Sequence, residues 1–428
     1  MHDKIVIVGG GAGGLELACK LGRKLGPEQV TLVDCRLYHV WKPSLHEVAA
    51  GTLDINQEGL SYQMLGHDNG FNYVYGPLTA LDANARCLTV GAVREQDELI
   101  MPERCIDYDA LVLAVGSTSN YFGIPGAQEH TIALNATEDA ERFRLTLLKL
   151  LTLAEMHHDG RSGVDIVIIG GGATGVELAA ELREASGVYA AYGFRHLQVP
   201  ADVRITLIEG APRILAPLPQ KVADAALRLL QQRAIAVVTG TRVERVEADR
   251  VMAGGHEYRA DICVWAAGIK APAFLASLGL PITRSDQIEV DGTLAVIGHP
   301  GIYALGDCAA CTGADGKPVP PRAQAAHQQA DYLLRHFLSQ RVGAPVQQQP
   351  YVYRDYGSLV SLGQSDTVGS LTGSSKGFQW FVEGLVARMM YASLHLLHHQ
   401  AVLGSARTAL LALARFLIKR SRPLVKLH

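Results

Sequence analysis

Ile5-Val6-Ile7-Val8-Gly9-Gly10-Gly11-Ala12-Gly13-Gly14 is a short apolar strand that runs into a glycine-rich turn and opens a helix, and the chain carries the pattern twice. The second copy is Ile166-Val167-Ile168-Ile169-Gly170-Gly171-Gly172-Ala173-Thr174-Gly175. Gly9, Gly11 and Gly14, and then Gly170, Gly172 and Gly175, fill the three places of G-x-G-x-x-G. The first glycine makes the tight turn, the second lets the backbone approach a pyrophosphate, and the third lets the helix lie close on the strand. The helix N-terminus then faces the anion. One such turn is weak evidence, because glycine-rich strand–helix turns also occur without a ligand. Two with the right flanks point to two dinucleotides, a flavin and a nicotinamide, with electrons entering on one and held on the other.

Each copy is followed by an acid suited to a ribose. Val30-Thr31-Leu32-Val33 ends at Asp34, and Ile205-Thr206-Leu207-Ile208 ends at Glu209, both within a few residues of the ~20-residue offset of this fingerprint. A carboxylate there accepts from ribose hydroxyls and repels a 2′-phosphate, so the second nucleotide reads as NADH rather than NADPH. An ordinary acidic strand end is the alternative at either position.

At 428 residues, 48% hydrophobic and 19% charged, the chain is globular and long enough for two or three domains. Its net charge of −3 is unevenly spread: eight Lys/Arg against the single acid Glu383 lie from Lys376 onward, leaving −10 on residues 1–375. A basic tail on an acidic body calls for a partner to the tail. The first strand begins at Lys4, which leaves no room for a signal peptide, and the seven cysteines form no disulfide spacing. Both features predict a reducing cytoplasm. Nothing indicates nucleic-acid binding.

Further strands, Ala110–Val115 before Gly116-Ser117, Ile262–Ala267 before Gly268, and Gly301–Leu305 before Gly306-Asp307, repeat the strand–glycine signal. The predicted fold is α/β with two Rossmann-like domains, the second inserted in the first, and a C-terminal amphipathic helical membrane-binding segment. The boundaries read as 1–118 plus 269–345 for the first domain, 119–268 for the insert and 346–428 for the anchoring region.

These signals, with Trp41-Lys42-Pro43, Leu45-His46-Glu47, Gly116-Ser117-Thr118-Ser119-Asn120, Trp265-Ala266-Ala267-Gly268-Ile269, Gly306-Asp307-Cys308 and Ala323-Gln324-Ala325-Ala326-His327-Gln328, resemble the type II NADH:quinone oxidoreductases over essentially the whole length. The last stretch fits that family's A-Q-x-A-x-Q quinone motif. The resemblance implies one non-covalent FAD, NADH as substrate, reduction of a membrane quinone without proton pumping, and peripheral attachment to the cytoplasmic face of a bacterial inner membrane. It implies an FAD site from Gly9, Gly11, Gly13, Gly14, Asp34, Lys42, Pro43, Gly116, Gly306, Asp307, Ala323 and Gln324. It implies an NADH site from Gly170, Gly172, Gly175, Glu177, Glu209, Ala267 and Gly268, and catalytic parts for Glu177, Gln324, Gln328 and Lys376.

The residues also have readings of their own. Asp307 ends a parallel strand, where ligands bind, and suits ribityl hydroxyls or a helix N-cap. Pro320-Pro321-Arg322-Ala323-Gln324 reads as a helix start whose positive end would favour an anionic reduced flavin. Gln324 and Gln328 share one helix face; they are either solvated or placed to hydrogen-bond a quinone carbonyl. Glu177 is either a first-turn acid favoured by the dipole or, as the resemblance implies, a group that helps orient the nicotinamide. Lys376, in a Gly/Ser-rich loop before Phe378, Trp380 and Phe381, is either exposed or placed to neutralise charge on flavin or quinone.

Cys308-Ala309-Ala310-Cys311 is a C-x-x-C, yet flavin disulfide reductases keep their reactive pair near the place of Trp41-Lys42-Pro43, and no cysteine lies between Cys35 and Cys87. The pair therefore reads as structural. The same absence argues against the related sulfide:quinone oxidoreductases. No metal site is expected: His395, His398 and His399 have helical ligand spacing, but no carboxylate is near in sequence, and they read as facing lipid phosphate. From Trp380 to Leu403, Phe381, Leu385, Met389, Ala392 and Leu396 recur at helical spacing. From Ser405 to Lys419, Arg407, Arg415 and Lys419 fall opposite Leu410, Leu413, Phe416 and Leu417. The longest apolar run, Ala409–Ala414, is far below the ~20 residues that span a bilayer. The tail reads as lying in the interface, its basic face on an anionic membrane surface. Packing on the body and a homodimer contact remain the alternatives.

Overall fold

Two five-stranded parallel sheets hold the fingerprints at equivalent places. In the first, the order is Ile302–Ala304, Ala110–Leu113, Ile5–Val8, Val30–Asp34, Asn72–Tyr75. In the second it is Ile132–Ala133, Ile262–Trp265, Val164–Ile169, Val203–Ile208, Ile235–Val238. Each fingerprint strand is thus central, between the strand ending in the ribose acid and the strand leading to Gly116 or Gly268. Ile5–Val8 is buried at every position, the pattern of a parallel sheet covered on both faces. The computed structural model describes residues 4–156, 163–194, 196–314, 316–341, 349–363, 366–373, 379–418 and 425–426.

The duplication extends outward. Each sheet is accompanied by a three-stranded antiparallel sheet, Leu78–Asp82 with Cys87–Val90 and Arg104–Asp107, and Val243–Val246 with Arg250–Ala253 and His256–Arg259. The chain leaves the first sheet and returns to it through one antiparallel pairing, Thr118 with Lys270 and Ser119 with Ile269. The helix Ala323–Arg341 starts at the expected place and packs along the first fingerprint helix, Ala12–Leu25. Gly13 permits that contact: a Cβ there would lie 2.7 Å from Leu305 Cδ1 and 2.9 Å from the Ala326 carbonyl oxygen.

A third antiparallel sheet, Gly357–Leu362, Asp366–Thr372 and Gln379–Glu383, precedes the helices Gly384–Leu403 and Ser405–Ile418. This corrects the start of the tail. Trp380 and Phe381 belong to a strand, paired with Leu371 and Ser370, and the helix begins only after the turn at Gly384, whose φ is +67°. A short apolar run is ambiguous between the two periodicities, and here sheet pairing decides it.

The helix faces also differ from the expected ones. His398 and His399 are buried against the body, whereas Leu385 is 68% and Met389 66% exposed. In the last helix Arg415, 29% exposed, turns toward the body to ion-pair with Glu58, and Arg407, still 57% exposed, ion-pairs with Asp68, while Leu410 and Leu413 point out. The buried His398 and His399 therefore do not face lipid phosphate. Lys376, Phe378 and Lys419 lie outside the described residues.

The glycines separate fold from ligand. A Cβ on Gly14 would sit 2.0 Å from the Gly9 carbonyl oxygen, and one on Gly175 would sit 1.9 Å from that of Gly170. At Gly11 and Gly172 it would meet no protein atom within 4 Å. Gly14→Ala is expected to destabilise the protein by ~3 kcal/mol or more. Gly11→Ala should leave the melting temperature of cofactor-stripped protein unchanged while abolishing dinucleotide retention. Thermal unfolding and cofactor content check both; equal melting of the two variants would contradict the division.

Candidate active site

At both fingerprints the ribose acid reaches back to the middle of the glycine turn. Asp34 Oδ2 accepts from the Gly10 amide at 2.6 Å and its Oδ1 from the Arg36 amide at 2.8 Å. Glu209 Oε2 accepts from the Gly171 amide at 2.5 Å and its Oε1 from the Ala211 amide at 2.6 Å. The carboxylate fastens the turn so that the next glycine, Gly11 or Gly172, begins the helix with its face open. Both have near-identical extended geometry, φ −67°, ψ −173° and φ −72°, ψ −177°. Burial pushes the Asp34 carboxyl up from its ordinary value, against the pull of the backbone amides. These two open cradles are what a dinucleotide pyrophosphate requires.

A second group of sequence-predicted residues meets at the edge of the first sheet. Ser117 Oγ donates to Asp307 Oδ2 at 2.7 Å, and Lys42 Nζ donates to the Ser117 carbonyl at 3.0 Å. Burial lowers the Lys42 pKa while Asp307 opposes the shift. Gly116 and Gly306 turn at positive φ, +72° and +74°. Ser117, Lys270, Gln287, Asp307 and Pro321 line a cleft of ≈ 220 Å³. Gln329, which the sequence reading did not single out, fixes this corner by accepting from the Gly306 amide at 2.7 Å. The donors and acceptors fit the polar chain of a flavin nucleotide.

The two motif glutamines part company. Gln324 Oε1 accepts from the Tyr353 hydroxyl at 2.8 Å and the Tyr356 amide at 3.3 Å, so its amide NH₂ is the end with which it would donate. Gln328 uses both ends on one residue: Nε2 donates to the Arg354 carbonyl at 2.8 Å and Oε1 accepts from the Arg354 amide at 2.9 Å. Gln328 thus fastens the 353–356 segment to the helix.

Glu177 lies in a buried polar pocket built by four elements. The Ser361 amide donates to its Oε1 at 3.0 Å, His46 Nδ1 lies 3.8 Å from its Oε2, and the Tyr391 hydroxyl hydrogen-bonds to it. Burial pushes its pKa up to about 7, opposed by His46. Burial alone would lower His46, but Glu177, Glu47 and Glu181 raise it. The pocket is therefore poised to hold or move a proton near neutrality. His46 stood in a quoted motif without a role, and Tyr391 gave no signal, because only folding brings the C-terminal helix here. Cys308 and Cys311 are buried thiols, pushed by burial up to about 12 and about 11. They form little thiolate at neutral pH.

The comparisons agree with this layout. The family model described as pyridine nucleotide-disulphide oxidoreductase matches residues 3–330. By fold and site the chain is an oxidoreductase of that two-nucleotide class. A type II NADH:quinone oxidoreductase of Haemophilus influenzae is 36% identical over 444 residues, covering 99% of each chain. The Mycobacterium tuberculosis type II NADH:quinone oxidoreductase Ndh is 26% identical over 92% of this chain and 84% of its own. The solved structure of NDH2 from Plasmodium falciparum in complex with NADH shares the fold at a TM-score of 0.85 and 19% identity, each chain fully covered. The chain belongs to the type II NADH:quinone oxidoreductases.

Two outcomes follow from the carboxylates. Glu177 has a folded pKa raised from 4.5 to about 7, so its stabilising contribution is full below about pH 4.5 and is lost as the pH rises toward 7, by up to ~3 kcal/mol. His46, also raised, acts in the same direction. Glu177→Gln should flatten this fall in melting temperature between pH 5 and 8; parallel profiles would show that Glu177 ionises normally. Separately, Glu209→Gln keeps an acceptor for the turn but removes the charge, and should raise the NADPH/NADH ratio of kcat/KM at least ~10-fold, about 1.4 kcal/mol. An unchanged ratio would place Glu209 away from the 2′ position.

Proposed function

We propose that this chain transfers two electrons from NADH to a membrane quinone through one non-covalently bound FAD, without pumping protons, on the cytoplasmic face of the membrane. The carrying observation is that one chain presents two open, equally built dinucleotide cradles, at Gly11 and Gly172. FAD is assigned to the first cradle and NADH to the second. Bound FAD would supply the chemistry of accepting a hydride and returning an electron pair.

The protein's own groups bind and orient. Asp34 and Asp307 would hold ribose and ribityl hydroxyls, Lys42 would sit beside the same chain, and the positive end of helix Ala323–Arg341 would favour the negative charge of the reduced state. Glu209 would take the NADH ribose. The Gln324 amide would donate to a quinone carbonyl, and Glu177, with His46 and Tyr391 around it, would hold the proton that quinone reduction consumes. Lys376 would neutralise charge on flavin or quinone. Sulfide-driven chemistry is disfavoured, since it needs reactive thiols that Cys308 and Cys311 do not supply.

Attachment rests on the outward apolar face. Leu385, Val386, Met389 and Leu397 on one helix, and Leu410 and Leu413 on the next, are each at least 55% exposed. Such a face on amphipathic helices suits an interfacial position, and among the described residues no helix is long and apolar enough to cross a membrane. Because Arg407 and Arg415 are engaged in ion pairs with Asp68 and Glu58, apolar burial carries most of the binding. Removing the tail would also disturb the core, since Val402 and Val425 are buried in it and the Lys426 amide donates to the Gly51 carbonyl at 2.8 Å.

Anaerobic NADH should therefore bleach the flavin of the full-length protein, and long-chain quinone should restore it. Leu385→Asp with Leu413→Asp should release the protein from vesicles, keep the NADH rate with a soluble acceptor, and cut long-chain quinone reduction ~10-fold or more. A flavin bleached by sulfide and untouched by NADH would refute the reaction. Unaltered vesicle binding of the double variant would refute the membrane face.

A further inference from the structure

The histidines of the C-terminal helix turn inward and find the carboxylate that their sequence neighbourhood lacks. Glu16 from the first fingerprint helix, His327 from helix Ala323–Arg341 and His398 from helix Gly384–Leu403 bring one ligand atom each within 4.8 Å of one another. His327 Nδ1 is hydrogen-bonded to Glu16 Oε2, and Lys20 holds the other oxygen, Oε1. Lys20 is itself shared with Asp331 at 2.6 Å.

The protons on the ring nitrogens follow from their partners. His39 Nδ1 lies 2.9 Å from the Gly10 carbonyl oxygen, which only accepts, so His39 carries its proton there. His39 Nε2 is then an acceptor, and His398 Nε2, 2.9 Å away, must donate to it. That leaves a lone pair on His398 Nδ1. His398 is 0% exposed, and among the described residues this nitrogen has no hydrogen-bond partner. A fully buried imidazole nitrogen without a partner, on a residue that stands with a carboxylate and a second imidazole, calls for an occupant.

We propose that Glu16, His327 and His398 form a binding site for a divalent transition cation of the zinc class, which clamps the C-terminal helix to the two helices beneath it. Two imidazoles and one carboxylate are a ligand set that such a cation accepts, with a fourth position left for water. The cation would replace the proton that His327 and Glu16 share. The outer shell is already in place: His398 donates its other nitrogen to His39, which is fixed by Gly10, as metal-bound histidines commonly require. Burial holds His327 and His398 neutral, the form that ligates. The neighbouring group Glu58, His395 and His399 is the weaker candidate, because neither of its histidines is among the buried groups without a partner, as His398 is.

The test uses chelator-treated full-length protein with its flavin. Cobalt(II) titration should give the visible bands of a four-coordinate ion, saturating at one equivalent per chain, and zinc should displace it. Zinc should also raise the melting temperature. Glu16→Gln and His327→Ala should each weaken the affinity by more than ~10-fold and abolish that rise, while a His395→Ala/His399→Ala double variant keeps both. If His327→Ala fails to fold, the near-isosteric Glu16→Gln alone decides. No stoichiometric uptake, uptake indifferent to Glu16→Gln, or uptake lost only in the His395/His399 variant would overturn the assignment.

Discussion

The structure depends on how closely a helix can approach the strand before it. In both halves the third fingerprint glycine lies against the carbonyl of the first, so near that a methyl group would sit about 2 Å from the oxygen at Gly14 and Gly175 alike. That approach sets the helix axis, points the N-terminus at the cradle, and places the second glycine where no protein atom intrudes. The ribose acid then locks the turn from the neighbouring strand. Two demands, one steric and one electrostatic, therefore fix the same few atoms, and they are met twice in one chain by the same residue types.

This is why the core of the fold was legible in the sequence. Gly9, Gly11, Gly14 and Asp34, and their counterparts Gly170, Gly172, Gly175 and Glu209, carry local constraints that act within one βα unit and so leave a local pattern. The sites assembled between units were legible only in part. Asp307 and Lys42 could be named, yet Gln329, which fixes the Gly306 turn from a different helix, could not. Gln328 shared a face with Gln324, but spacing says nothing about what lies opposite, and Arg354 lies opposite Gln328 with both of its backbone groups. Tyr391 reaches Glu177 only because a helix from the far end of the chain packs on the Gly357–Leu362 and Asp366–Thr372 strands.

The C-terminal helices show where period-based reasoning meets its limit. The amphipathic pattern was real, but a pattern fixes two faces without saying which is turned inward. In a soluble helix the apolar face goes in. Here the inward face carries His395, His398, His399 and Arg415, with Arg407 at its rim, and the exposed face carries Leu385, Met389, Leu410 and Leu413. The inversion is consistent physically only if each inward polar group has a partner and the outward leucines have an apolar medium. His39, Asp68 and Glu58 supply partners to His398 Nε2, Arg407 and Arg415, and His398 Nδ1 is the group left without one among the described residues.

The same inversion gives polar contacts a large part in docking the tail on the body, beside the buried Ala387 and Val402. A helix whose apolar side is turned outward has less to bury against protein, so its docking leans on directional interactions. Ion pairs and imidazole hydrogen bonds supply position more than bulk stability. They also place the helix with respect to the flavin turn: His398 leads through His39 to the carbonyl of Gly10, the residue whose amide Asp34 holds. The C-terminal helix and the first glycine turn are thus joined through a chain of three hydrogen bonds. A displacement of the helix would be felt first at that turn.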